Sequence, residues 1–324
     1  MKILVTGASG MVGRNLLADA RARDHEILAP PRSQLDLTDQ AAGARYVAAQ
    51  RPELIIHLAG RVGGIQANID APASFLAENL AIGLNVLTAA RDAGVPRLIN
   101  LGSSCMYPAD GPDPLTEDAL LTGSPEPTND GYALAKLAAW KLALAMSRET
   151  PGLDYKTLIS CNLYGPFDHF DPILSHLVPA AILKIDTARR GRAGEVEIWG
   201  DGTARREFMF APDLADFIWR ALGRWDAIPP TMNVGVGRDQ SIDEIFGTIA
   251  EVMGYGGAFI HNLAKPVGMR RKRLDVSRQT ALGWRPATDL SAGVAKTVEH
   301  FRARAAWRTE DTRGKMTHGR PSRV

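Results

Sequence analysis

A phenol and an ammonium stand four residues apart in Gly131-Tyr132-Ala133-Leu134-Ala135-Lys136, a spacing that puts both on one face of a helix. A tyrosine with an ordinary pKa of ~10 is a weak acid near neutrality, and a neighbouring cation favours its ionised form. The pair therefore reads as a proton donor to a forming alkoxide, with Lys136 tuning Tyr132. Upstream, Leu101-Gly102-Ser103-Ser104-Cys105-Met106-Tyr107-Pro108 offers Ser103, a hydroxyl able to hold a carbonyl oxygen. Taken alone, that serine is an ordinary turn hydroxyl.

Such side chains meet only if strands and helices alternate around them, and the first half of the chain carries that pattern. Short apolar runs at 3–6, 26–29, 54–58, 97–101 and 155–160 read as strands. Between them, 11–23, 38–50, 71–93 and 132–149 carry apolar residues at helical spacing. Alternation of this kind predicts an α/β fold, a doubly wound parallel sheet with right-handed crossovers. It places Ser103 at the carboxyl edge of the fourth strand, where such sheets hold ligands. After Tyr164-Gly165-Pro166 the regularity breaks into helices, short strands such as 195–199 and glycine-rich turns, which predicts a smaller, mixed α/β domain. Met232–Gly235 reads as a strand returning to the first sheet. The expected layout is therefore residues 1–165 with a returning segment near 211–236, then 166–210 with 237–301, then a frayed basic tail at 302–324.

The first strand runs directly into Gly7-Ala8-Ser9-Gly10-Met11-Val12-Gly13, a turn that opens the first helix. Glycines there let backbone approach a phosphate, so Gly7, Gly10, Met11, Val12 and Gly13 are candidate contacts to a dinucleotide pyrophosphate in a Rossmann-type domain. The second strand ends in Leu28-Ala29-Pro30-Pro31-Arg32, with no carboxylate to repel a 2′-phosphate. Arg32, helped by Arg14, suits such a phosphate, which favours NADP(H) over NAD. Asp36 either accepts from the adenine amino group or caps the helix beginning near Thr38.

Composition narrows the remaining classes. The 324 residues suggest about two domains, and 45% hydrophobic content is ample for their cores. A net charge of +2, with five Arg/Lys against two acidic residues in 308–324, argues against nucleic acid as a partner. No apolar run long enough to span a membrane stands out. Two cysteines, Cys105 and Cys161, are too few for a disulfide framework, and no Cys/His cluster has metal-ligand spacing. A cytoplasmic protein without a metal is expected.

Ser103, Tyr132 and Lys136, the glycine turn and His57-Leu58-Ala59-Gly60 together resemble the extended short-chain dehydrogenase/reductase family. Longer stretches are similar to its members that act on GDP-4-keto-6-deoxy-D-mannose. They are Val62 to Asn68, Leu101 to Pro108, Leu120-Leu121-Thr122-Gly123 with Glu126-Pro127-Thr128-Asn129, Asn162-Leu163-Tyr164-Gly165-Pro166, Ser175-His176, and Trp199-Gly200-Asp201-Gly202 through Arg206-Glu207-Phe208. The resemblance implies NADPH-dependent 3,5-epimerisation and 4-reduction of that GDP-linked nucleotide sugar by a homodimer. It assigns Cys105 as base and His176 as acid in the inversions, which the C4 ketone makes feasible by acidifying the neighbouring C–H bonds. Read without it, Cys105 is a small buried hydrophobe and His176 a helix-start histidine. Cys161 is taken as structural.

The resemblance also lends Asn162, Leu163 and His176 to the cofactor, and Lys184, Trp199, Arg206 and Lys272 to the substrate, with Arg206 and Lys272 as diphosphate partners. Without the resemblance, Arg270-Arg271-Lys272-Arg273 is a charge run of the kind that usually forms a solvated face. Two alternatives share the fold: an epimerase or reductase for another nucleotide-linked 4-keto sugar, and a non-catalytic NADP-binding sensor.

Overall fold

The computed structural model describes residues 1–171, 175–191 and 195–317, of which 304–317 are described by backbone alone. Its first half alternates as the sequence pattern requires: β1 (Lys2–Thr6), α1 (Met11–Ala18), β2 (Glu26–Leu28), α2 (Gln40–Gln50), β3 (Leu54–His57), α3 (Ile65–Asp70), α4 (Pro72–Asp92), β4 (Arg97–Ser103), α5 (Asp130–Glu149) and β5 (Asp154–Ser160). After β6 (Asn162–Tyr164) come α6 (Leu177–Arg189), β7 (Glu195–Trp199), β8 (Arg205–Arg206), β9 (Phe208–Phe210), α7 (Ala211–Leu222) and β10 (Thr231–Val234). The chain continues through β11 (Gln240–Ser241), α8 (Ile242–Met253), β12 (Ala258–Asn262), β13 (Arg271–Lys272), α9 (Ser277–Ala281) and α10 (Leu290–Thr317).

Six strands form one parallel sheet in the order β10-β5-β4-β3-β1-β2, a Rossmann-like arrangement. The order reverses beside β1, so the first turn and the end of β4 share one carboxyl edge, where ligands bind in such sheets. The near-continuous apolar runs of β1, β3 and β4 follow from burial on both faces. One face packs Ile3, Val5, Ile56 and Ile99 against α1 and α7 residues such as Leu16 and Phe217. The other packs Leu4, Ile55 and Leu98 against Val47, Val86 and Ala143 of α2, α4 and α5. A separate core joins α6, α8 and α10 through Ile182, Ile245, Ile249 and Val294.

Local hydrogen bonding redraws several boundaries. The helix expected over 11–23 stops at Ala18, because the Asp19 carboxylate accepts from the Arg21 amide and pairs with its guanidinium, starting a 3₁₀ turn at Ala20–Asp24. The helix expected from Thr38 begins at Gln40, where Asp39 caps the Ala42 amide. From 302 to 317 the backbone continues α10 rather than fraying, in keeping with a stretch rich in Ala and Arg. The tail's last residues, 318–324, lie outside the described residues.

Helix α4 also contains an 18-residue window long and apolar enough by composition to cross a membrane. That window is not visible as an unbroken apolar run. Here its apolarity serves packing on α2, α5 and the sheet, since Phe75, Val86, Leu87 and Ala90 are buried.

Candidate active site

Ser103 ends β4, and Ser104–Met106 forms a 3₁₀ turn directly after it. The Ser103 hydroxyl accepts from the Cys105 amide at 3.3 Å and lies close enough to the Tyr132 phenol to favour its ionised form by hydrogen bonding. Lys136, one turn further along α5, is buried and donates to the Leu101 carbonyl at 2.9 Å, with its ammonium 5.9 Å from the centre of the Tyr132 ring. The structure thus brings Ser103, Tyr132 and Lys136 together at the sheet edge. It corrects the expected tuning, however. Burial and the nearby Cys105 push the phenol above its usual range, and the Ser103 bond offsets only part of this. Burial also depresses Lys136 to about 8, and its ammonium is engaged with a carbonyl rather than the phenol. Tyr132 therefore holds its proton firmly until a stronger base, such as an alkoxide, forms beside it.

Cys105 lies two residues beyond Ser103, and its sulfur accepts from Asn129 Nδ2 at 3.2 Å and Lys272 Nζ at 3.5 Å. Lys272 arrives because the segment after β13 is stitched to the loop after β4: Leu115 donates to the Arg273 carbonyl at 2.8 Å, and Asp275 donates to the Leu115 carbonyl at 2.9 Å. The basic run at 270–273 is therefore not a uniform solvated face. Strand alternation sends Arg271 and Arg273 out to Asp113 and turns Lys272 inward. His176 is the N-cap residue of α6, exposed to solvent on one side. Desolvation and the neighbouring Lys272 charge lower its pKa, making its protonated form a stronger acid.

The first turn has the shape a dinucleotide needs. Gly7 adopts φ +71°, and a β-carbon there would sit 2.7 Å from the Ala59 amide nitrogen; one at Gly13 would run into the Gly7 carbonyl. Gly10 caps α1 without a side-chain bond, and no acidic residue occupies the first turn, which begins Met11-Val12. These exposed N–H groups favour an anion. Arg32 is exposed and reaches Asp36 at 3.6 Å, while Asp36 accepts from the Thr38 amide at 3.0 Å. Asp36 thus shapes the turn after β2; the cap of α2 is Asp39. Arg14 lies over the Phe167 ring at 4.0 Å. Asn162 donates to the Glu207 carbonyl at 2.8 Å, and with Leu163 it forms β6, paired to β9.

This cradle and the paired Ser/Tyr/Lys geometry agree with a match to the model of the NAD dependent epimerase/dehydratase family over residues 3–235. The chain belongs to that family. Among curated relatives it is 50% identical over 301 residues to a GDP-L-colitose synthase from Yersinia pseudotuberculosis, covering 93% of this chain and 98% of that protein. It is 49% identical over 300 residues to a GDP-L-fucose synthase from Azorhizobium caulinodans, covering 93% and 96%. Among solved structures, the NADP-bound GDP-mannoheptose C4 reductase MlghC from Campylobacter jejuni superposes with a TM-score of 0.82 at 28% identity, covering 93% of this chain and 98% of that one.

In this epimerase/dehydratase chain the remaining candidate residues divide into two groups. Arg206 pairs in register with Lys272 across β8 and β13, donates to the Arg205 and Val267 carbonyls at 2.8 Å, and lies within electrostatic reach of Cys105 and Glu126. Lys184 and Trp199 stand elsewhere, on α6 and β7. There Lys184 donates to the Glu197 carbonyl at 2.9 Å and lies 5.6 Å from the centre of the Trp199 ring. Two residues were not singled out by spacing. Asn129 was visible only as the end of a matched motif, and Lys265, 5.1 Å from the centre of the Trp199 ring, follows no local pattern at all. Beside the reacting centre a cavity of about 350 Å³ is lined by Asn68, Ile69, Phe75, Thr128, Asn129 and Tyr132, among others. Cys161 is buried and inert, its thiol raised by burial and by Glu207. Among the described residues no group of three His, Cys, Asp or Glu side chains is placed to hold a metal.

Proposed function

We propose that the protein is an NADPH-dependent epimerase-reductase that converts GDP-4-keto-6-deoxy-D-mannose to GDP-L-fucose. The observation that carries this reading is the convergence of two acid–base sets on one short turn. Ser103 belongs to the set containing Tyr132 and Lys136, and Cys105, two residues on, to the set containing Lys272 and His176. A simple reductase needs only the first. Cys105 takes the protons from carbons 3 and 5, and His176 returns them from the other side. Ser103 then holds the C4 oxygen while Tyr132 gives it a proton, and the buried Lys136 fixes the surroundings of the phenol. NADPH, when bound by the Gly7–Gly13 turn and Arg32, supplies the hydride. Arg206 and Lys184 are cations that suit the diphosphate of a nucleotide sugar, with the Trp199 ring beside Lys184.

Near-equal identity to the colitose and fucose enzymes supports a second reading, in which a closely related GDP-linked 4-keto-deoxy sugar is inverted at one carbon only. A panel of GDP-, UDP- and dTDP-linked 4-keto sugars, scored by NADPH oxidation, separates these. Turnover of GDP-4-keto-6-deoxy-D-mannose well above the others is expected; preference for another GDP-linked 4-keto-deoxy sugar selects the second reading. Cofactor binding without turnover on any of them would leave only a sensor.

The working unit in this proposal is a cytoplasmic homodimer, with no nucleic-acid or membrane partner. Leu80 and Leu84 of α4, one turn apart, and Leu134 of α5 are 37%, 52% and 44% exposed, an apolar face suited to a second copy. A monomer-sized mass in solution at micromolar concentration would refute the dimer. Two free cysteines, one of which must remain reduced to work, suit the cytoplasm.

A further inference from the structure

Lys272 is 8% exposed, yet among the described residues it forms no ion pair with a carboxylate. Its neighbours in sequence differ. Arg271 meets Asp113 at 2.7 Å and also Asp239, and Arg273 meets Asp113 at 3.2 Å, although both are more exposed than Lys272. An ammonium taken out of water without a counter-charge is costly, so the most buried cation of the run is the one in greatest need of an anion. The hydrogen-bond partner it has is Cys105 Sγ at 3.5 Å. The same sulfur receives Asn129 Nδ2 at 3.2 Å, and that amide's oxygen is buried with no partner of its own. Donation to sulfur is the hydrogen bond that holds this amide.

We infer that Lys272 and Asn129 are positioning residues that keep Cys105 as a thiolate and aim it at the substrate, with Lys272 its counter-ion rather than a clamp for the diphosphate. The other charged or titratable groups around the sulfur are Tyr132, which stays protonated, and Arg206, which adds a second positive charge. Beyond these stand His176, coupled to Lys272, and Glu126, coupled to Arg206. Both side-chain donors aim N–H groups at the sulfur, an arrangement that suits a negatively charged acceptor. In the reaction the thiolate takes the carbon-bound proton and becomes a thiol, while the C–H electron pair moves toward the C4 oxygen. When His176 returns a proton to the opposite face, the electron pair comes back from the C4 oxygen to carbon; Cys105 then gives its proton to solvent water, water reprotonates His176, and the ion pair re-forms.

This assignment rests on Cys105 being the base in the proposed reaction, but its test needs no substrate. The rate at which iodoacetamide alkylates Cys105 in the intact protein, followed by mass spectrometry of the Cys105 peptide, tracks its thiolate fraction across pH; buried Cys161 serves as an internal control. Lys272→Met is expected to move the midpoint of that profile upward by about one pH unit, a roughly tenfold slower reaction at neutral pH. Lys272→Arg should largely restore it, and Asn129→Ala should move it the same way by less. Should Lys272→Met fail to fold, Lys272→Arg and Asn129→Ala carry the test, with Asn129→Asp expected to shift the midpoint upward more than Asn129→Ala. Unchanged profiles in the folded variants, with the Lys272 effect confined to KM for the nucleotide sugar, would overturn the assignment and make Lys272 a diphosphate ligand. A Lys272-dependent thiolate in a protein that turns over no nucleotide sugar would uphold the assignment while defeating the proposed function.

Discussion

Ser103, Tyr132 and Lys136 come from one strand and the one helix packed directly on it, and are fixed by bonds to Leu101 and Cys105. Cys105 shares that turn, but the groups around it come from elsewhere: Asn129 from the turn before α5, Lys272 from β13 and Arg206 from β8, with His176, at the start of α6, coupled to Lys272. The first set is held by β4 and α5 alone. The second exists only while the short sheet of β11, β8 and β13 is held against the loop after β4. Reduction and epimerisation thus differ in what can disturb them, although their key residues are two positions apart.

The sharpest way to break this division is Tyr132→Phe, which removes the proton for the C4 oxygen. Reduction, followed by NADPH absorbance, is expected to fall by about 10³-fold while solvent deuterium still enters carbons 3 and 5. Loss of both together would mean that the sets do not act separately. Cys105→Ser should do the converse, slowing deuterium entry by about 10²-fold with NADPH affinity intact. Full-rate exchange in that variant would remove Cys105 from its role.

Glu207 probes the fastening of the second set. Its buried carboxylate accepts from the Val236 and Gly237 amides after β10 and the Leu274 amide after β13, tying those two segments together beside Lys272. Glu207→Ala leaves those donors unpaired and should cost about 2–3 kcal/mol in denaturant unfolding. In the folded fraction, exchange should slow more than reduction. An equal loss of both would contradict the view that only one set spans the seam. On the cofactor side, Arg32→Ala should cut the preference for NADPH over NADH by roughly tenfold, with little effect on exchange.

The smallest expected effect is one of pH. Lys136, depressed to about 8, is charged below that value and neutral above it. Reduction should therefore decline severalfold as pH rises through about 8, and Lys136→Met should lack that limb. A pH–rate profile flat from 7 to 9 in the parent enzyme would show that the ammonium charge is not used.

This division also governed what the sequence could reveal. Tyr132 and Lys136 are legible because helical spacing alone makes them neighbours, and the parallel sheet because β1, β3 and β4 are buried on both faces. Lys272 sat in a run of four basic residues. Only the short pairing of β13 with β8, which turns Lys272 inward, separates it from Arg271 and Arg273. Nothing in the local pattern of either residue announces that Asn129 meets a sulfur 24 positions away, or that Lys265 reaches Trp199. The motif at Glu126–Asn129 could be matched without its purpose being read. Local competition was missed as well: Asp19 ended α1 early by binding the Arg21 amide, a preference of one side chain that hydrophobic periodicity does not register.

The central claim is that two chemically separate acid–base sets work on one sugar at one turn of chain. Its most direct test is incubation of the protein with GDP-4-keto-6-deoxy-D-mannose and NADPH in deuterated water, with the product read by NMR. The account predicts GDP-L-fucose carrying deuterium at carbons 3 and 5, one NADPH being consumed per product. A reduced product with neither carbon exchanged and both configurations retained would contradict it, leaving a plain C4 reductase in which Cys105, Lys272 and His176 have no role in proton transfer.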